Sequence, residues 1–377
     1  MSVPTQLSAL SNRTSVPAIS TLMQMALATP GLISLAAGFV DQQTLPAEMA
    51  ADEIAAILND PAEGRRALQY GTTNGDLRLR ERIIALLEQN EHVAPGAYQS
   101  LVPRTVITTG SQQLLYLTAE ALLDPGDIVL VESPTYFVYL GVLASRGVRV
   151  VGIDIDEGGL RLDSLEATLA RLEAEGVLDR VKLIYTVSEH SNPTGISLAA
   201  ERRKPLVALA RKWSKQGWVY ILEDSAYRGL TFDGEEAPSV WSADSEGETV
   251  ILARTFSKTF SPGLKTGYGI LPASLLDPVL RLKGNHDFGS ANFSQVLLER
   301  LIDRGGYQRH VARLVERYRR KRDVMLESLQ ESFREWEGAV RWTLPRGGLY
   351  VWLSVPEEID TGPSGPLFAK CHENGML

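Results

Sequence analysis

A single cysteine, Cys371, is all the thiol chemistry the chain offers. An internal disulfide is therefore excluded, as is a metal site built on several thiolates, and a reducing compartment is expected. Long hydrophobic runs are missing too. Nothing approaches the roughly 20 consecutive apolar residues that cross a bilayer, and the opening MSVPTQLSALSNRTSVPAISTLMQM has no basic segment leading into a hydrophobic core. The expectation is a cytoplasmic protein with no membrane partner. Basic charge is in deficit: 38 Lys and Arg face 46 Asp and Glu, for a formal net charge of −8. Because a nucleic-acid partner needs a basic surface to displace counterions from phosphate, none is expected. Several motifs are absent as well. No G-x-G-x-x-G opens a helix after a strand, and neither G-x-x-x-x-G-K-[ST] nor H-E-x-x-H occurs, which argues against dinucleotide, nucleotide and zinc-protease chemistry and leaves no metal site to expect.

What is present is ordinary globular material, 44% hydrophobic and 22% charged over 377 residues, a length that suits two domains of unequal size. The stretch to about residue 50 has few periodic signals and reads as an extended arm followed by a loop, LAAGFVDQQTLP. From about residue 100, short apolar runs alternate with helical ones: TVITTG with SQQLLYLTAEALLD, DIVLVES with TYFVYLGVLAS, KLIYTV with AERRKPLVALARKWSKQ, then WVYILED, TVILART and TGYGIL. That alternation predicts an α/β fold, a mostly parallel sheet with helices on both faces in a three-layer sandwich. Beyond Leu271 the pattern turns helical, and AVRWTLPRGGLYVWLSV reads as a strand pair around a glycine turn. The domains expected are therefore an arm and part of a small domain over 1–50, a large domain over 51–285, and a smaller α+β domain over 286–377.

Ligands of open α/β sheets sit at the carboxyl ends of the strands, so the polar residues that close each apolar run carry the most information. Lys258 follows TVILA; a partly desolvated amine there is a better nucleophile toward an aldehyde, although a solvated loop lysine is the commoner case. Asp224 closes WVYILED, where a buried carboxylate wants a cationic partner, and Glu223 beside it should face the other way. GSQQ starts a helix directly after a strand, so the amides of Ser111 and Gln112 suit a phosphate, or Ser111 is only the N-cap. Thr255, Ser257 and Lys265 could complete such an anion site. Asn192, held by Pro193, offers one fixed amide donor. Tyr227 and Tyr136 could bond a phenolate oxygen and stack on a flat ring, or simply pack. Together these side chains match the needs of pyridoxal 5′-phosphate.

GSQQ, ESPTY, SNPTG, EDSAY and TFSKTFSPGLKTGY, in this order, resemble the fold-type I pyridoxal-phosphate-dependent aminotransferases of class I/II, in particular the 2-aminoadipate and kynurenine aminotransferase-like subgroup. ISLAAGFVDQQTLP and LQYGTTNGDLRLRERI extend the likeness from about residue 30 onward. The resemblance implies amino-group transfer from an L-amino acid to a 2-oxo acid through a Lys258 Schiff base, with Lys258, Asp224 and Tyr136 as the catalytic group. Asp224 would keep the pyridine nitrogen protonated, Asn192 and Tyr227 would bond the phenolic oxygen, and Tyr136 would stack on the ring. Ser111, Gln112, Thr255, Ser257 and Lys265 would hold the phosphate, with Tyr70 reaching over from a second copy in a homodimer. Gly38 and Asn192 would lie at the substrate carboxylate.

Three features depart from the family pattern. Lys265 stands where arginine is usual, and an ammonium cannot grip phosphate with a two-pronged fork. SEHS precedes Asn192 in place of P-x-x-Q, which brings His190 near the cofactor's edge as a turn residue or a proton carrier. No arginine follows Arg346, whereas the family carries an R-L-x-F segment that clamps the substrate carboxylate. A fragment, an early stop or a different carboxylate site would each account for this. The alternatives are another pyridoxal-phosphate reaction, namely β-elimination, decarboxylation or oxidation, and an effector-sensing domain of the MocR type. The last would require a helix-turn-helix domain ahead of the LAAG segment.

Overall fold

The computed structural model describes residues 6–29, 31–35, 38–336 and 338–377. Eight strands build its central sheet: β1 (Thr105–Thr108), β2 (Ile128–Ser133), β3 (Arg149–Asp156), β4 (Gly159–Leu160), β5 (Val181–Val187), β6 (Tyr220–Asp224), β7 (Val250–Thr255) and β8 (Gly267–Ile270). Their spatial order is β1-β8-β7-β6-β5-β2-β3-β4. From β3 through β7 the neighbours run parallel, while β8 lies antiparallel to both β1 and β7. The apolar runs are continuous rather than alternating because the middle strands are covered on both faces, as parallel strands must be.

Two buried clusters form the outer layers. One packs Leu222, Ala253 and Tyr185 against Leu114 and Leu115 of the helix Gly110–Leu122 and Tyr139 of the helix Phe137–Arg146. The other packs Ile221, Leu252 and Ile184 against the helices Leu77–Asn90, Leu162–Ala174, Ala200–Trp213 and Asn292–Asp303. Because side chains alternate along β6, Glu223 and Asp224 face opposite layers. Glu223 accepts from the amides of Val240 (3.0 Å) and Trp241 (2.7 Å).

The remaining chain runs through the long helix Gly306–Ser332, a short antiparallel pair of Arg341–Trp342 with Leu353–Ser354, and the helix Pro366–Glu373. A bridge between Ile33 and Met376 ties the last residues to the segment ahead of Gly38. The opening departs from the expected extended arm: helices span Ala9–Arg13 and Ala18–Ala28. Ser8 caps the first by accepting from the Ser11 amide. None of their described side chains is buried, so no amphipathic period marks them in the sequence.

Among the described residues no helix is long and apolar enough to cross a membrane, and no cluster of three or more His, Cys, Asp or Glu side chains could hold a metal ion.

Candidate active site

Asp224 ends β6, paired in register with Val187 on β5 and Ala253 on β7. It is almost fully buried. Its Oδ2 accepts from the Tyr185 hydroxyl at 2.9 Å, while Oδ1 has no hydrogen-bond partner among the described residues. Burial pushes the carboxyl up to about 7, against the pull of the Tyr185 hydroxyl and the nearby Ala226 amide. The expected cationic partner is not supplied by any described side chain, since no ion pair reaches Asp224. Tyr185, buried in the middle of KLIYTV, is the one contact that sequence reasoning missed here; strand alternation puts it on the same face as Val187 and hence Asp224.

Lys258 lies in the turn after β7, and its Nζ donates to the carbonyl of Gly38 at 3.2 Å. Burial, reinforced by the charge of Lys265, lowers its amine below the usual lysine range. Gly38 has φ +57, and a Cβ there would collide with the hydroxyl of Tyr350, so this loop position requires glycine. Lys265 itself is exposed and left-handed (φ +49) at the end of the turn Pro262–Leu264.

The antiparallel pairing of β7 with β8 places Thr255 opposite Gly267. A Cβ on Gly267 would sit 2.6 Å from the carbonyl carbon of Gly110 and 2.7 Å from the Ser111 amide. The missing side chain thus lets the start of the helix Gly110–Leu122 close on the Lys258 loop. Thr109, not Ser111, is the N-cap, and it makes no side-chain capping bond. Ser111 and Gln112 therefore lie in the first turn, where amides lack intrahelical partners and anions are favoured. Thr255 Oγ1 donates to Ser257 Oγ at 3.0 Å, which gathers two hydroxyls at the same place. Gln112 Oε1 is buried without a partner among the described residues.

Tyr136 is the N-cap of the helix Phe137–Arg146, and burial raises its hydroxyl above the usual tyrosine range, as it does for Tyr227. Asn192 Nδ2 donates to the Tyr350 hydroxyl at 3.0 Å, and Tyr227 packs edge-to-face on Tyr350 with ring centroids 5.8 Å apart. Tyr350, in the GGLYVW segment, is a second residue the sequence reading did not single out. Tyr70 is not in this cluster: it is 83% exposed and meets Phe288 edge-to-face at 5.9 Å.

His190 is buried at φ +46, and both ring nitrogens are engaged, Nε2 with Thr231 Oγ1 at 2.8 Å and Nδ1 with Ser197 Oγ at 3.2 Å. Burial pushes its imidazole down to about 4. Side chains at Gly347 or Gly348 would strike it. The histidine pins a loop, and no ring nitrogen is left for a proton carrier's task.

The residues present fit pyridoxal phosphate on three counts. A buried carboxylate oxygen awaits a donor, an absent Cβ lets a helix start approach two hydroxyls, and a desolvated amine stands in the same loop. The fold and these strand ends define a pyridoxal-phosphate-dependent transferase of fold type I.

The family model for aminotransferase class I and II matches residues 30–372. The chain is 33% identical to aromatic-amino-acid aminotransferase 1 of Thermococcus litoralis over 333 residues, covering 88% of this chain and 76% of that one. It is 32% identical to the 2-aminoadipate transaminase of Thermus thermophilus over 356 residues, covering 90% and 83%. The crystal structure of Pyrococcus horikoshii kynurenine aminotransferase superposes with a TM-score of 0.88 at 30% identity, covering 98% of this chain and 86% of that one. The protein belongs to the class I and II aminotransferases, in the subgroup of the 2-aminoadipate and kynurenine enzymes.

Proposed function

We propose that this aminotransferase moves an amino group from an L-amino acid to a 2-oxo acid with Lys258 as its covalent and proton-moving group and Asp224 as its electrostatic anchor. Bound pyridoxal phosphate supplies an aldehyde that captures amines and a heterocycle that draws electrons from the substrate's α-carbon. Asp224 Oδ1, buried and unpartnered, is the observation that carries the assignment. A carboxylate there holds a proton on a ring nitrogen, and Tyr185 keeps the other oxygen fixed.

Lys258, with its amine depressed by burial, takes and returns the proton at the substrate's α-carbon. Ser111, Gln112, Thr255, Ser257 and Lys265 bind the phosphate. Asn192 and Tyr227 donate to the ring's oxygen, Tyr136 covers the ring face, and Gly38 with Asn192 receives the substrate carboxylate. Residues 51–285 carry the cofactor, and 286–377 close over it together with the amino-terminal segment. Exposed Tyr70 and Phe288 support a homodimer in which Tyr70 completes the partner's phosphate site, and the single cysteine suits a cytoplasmic location.

Absorption spectroscopy of the purified protein with added pyridoxal phosphate tests this. A visible band that borohydride bleaches and Lys258→Ala lacks is expected, together with glutamate formation from an amino acid and 2-oxoglutarate. A protein that stays colourless at saturating cofactor contradicts the assignment, and ammonia or pyruvate without glutamate contradicts the reaction.

A further inference from the structure

We infer that Tyr350 is a positioning residue for the ring-binding donors: its hydroxyl fixes the Asn192 amide and the Tyr227 hydroxyl and holds the Gly38 loop whose carbonyl receives Lys258. The inference rests on the reading of Asn192 and Tyr227 given above. Three groups that come from well-separated parts of the chain meet at this one oxygen. Asn192 Nδ2 donates to it at 3.0 Å, and the Tyr227 hydroxyl lies within reach of it. The same oxygen occupies the place a side chain on Gly38 would take, and the carbonyl of Gly38 is 3.2 Å from Lys258 Nζ. The ring of Tyr350 is itself held edge-to-face by Tyr227.

A primary amide has two donor hydrogens and an sp² plane that fixes their directions. With one hydrogen committed to Tyr350, the Asn192 amide can rotate neither about its last bond nor away from the site. Its second hydrogen is thereby aimed. Without the Tyr350 hydroxyl, Asn192 keeps its backbone place after β5 but loses that aim, and Tyr227 loses the neighbour that its hydroxyl faces. A phenylalanine would fill the same volume and supply neither effect.

Phe at 350 therefore separates packing from positioning. The titratable and charged groups around the cluster are Tyr136, Tyr227, Asp224, Lys258 and Lys265; the change replaces none of them, and it removes the neighbouring phenol that helps raise the hydroxyls of Tyr136 and Tyr227. Fewer aligned donors leave the ring's oxygen more basic, which raises the pH at which the cofactor-loaded protein changes its visible absorbance. Losing one net hydrogen bond's worth of alignment corresponds to an upward shift of about half to one pH unit.

The test is a spectrophotometric pH titration of the cofactor-loaded protein for wild type, Tyr350→Phe, Asn192→Ala and the double variant. Expected are an upward shift for Tyr350→Phe, a larger one for Asn192→Ala, and little further shift when the two are combined. Thermal melting of Tyr350→Phe is followed in parallel. A lowered melting temperature with an unmoved titration would show a packing role only and overturn the inference, as would shifts that simply add. Loss of the visible band in wild type would instead remove the underlying cofactor reading, so the two failures are distinguishable.

Discussion

Two fully buried acids stand at neighbouring strand ends of the same sheet, and their surroundings could hardly differ more. Glu189, just past β5, bonds Arg203 at 2.9 Å and Arg228 at 3.0 Å, with Ser188 and Ser225 hydroxyls donating as well. Burial resists its ionisation, yet the two guanidinium charges hold it well below the usual carboxylate range. Arg228 and Arg254 share Glu91 in turn, so the region is a closed set of buried charges. Asp224, at the end of β6, has one hydroxyl and no cation, and burial pushes it up to about 7. The first acid is satisfied by its own chain and serves the fold. The second is left short of a positive charge, which is the condition a cationic ring nitrogen would relieve.

The widest gap between the two should appear in stability. Glu189→Gln leaves Arg203 and Arg228 buried with one fewer counter-charge, and a loss of about 3–5 kcal/mol in denaturant unfolding is expected. Asp224→Asn should behave in the opposite sense without cofactor. The folded pKa of Asp224 is raised, so its contribution is present in full below about pH 4 and is lost as pH rises through about 7. Cofactor-free wild type should therefore lose stability relative to Asp224→Asn across that window, by about 4 kcal/mol at most for a rise of roughly three pH units in pKa. Glu132, also pushed up to about 7, chiefly by burial and to a lesser extent by the charge of Asp224, titrates in both proteins, so only the part that Asp224 adds survives in the difference, and it has the same sign. Unfolding curves at several pH values check this, and a difference that stays flat would remove the asymmetry between the acids.

Much of this is legible in the sequence itself. The strand ends SNPTG, EDSAY and TFSK announce themselves because continuous apolar runs are the signature of strands covered on both faces, and a polar residue that stops such a run must sit at the rim. Asp224 and Lys258 were found that way. Partners drawn from other strands and segments were not. Tyr185 lies inside an apolar run, where a tyrosine reads as packing until strand register carries its hydroxyl to Asp224. Tyr350 reaches Asn192 across 158 residues of sequence, and no local pattern encodes that meeting. The role of Glu189 was hidden for the same reason, since its arginines come from a helix and a turn farther along the chain. The opening helices escaped notice because helices that bury none of their described side chains leave no period to read.

The central claim is that Asp224 keeps the cofactor's ring nitrogen protonated, and nitrogen NMR of protein loaded with ring-¹⁵N pyridoxal phosphate measures this directly. The account predicts a chemical shift of the protonated pyridine that stays constant from about pH 6 to 8 in wild type and moves to the unprotonated value in Asp224→Asn. A wild-type nitrogen that titrates within that range, or one that ignores the substitution, would contradict it.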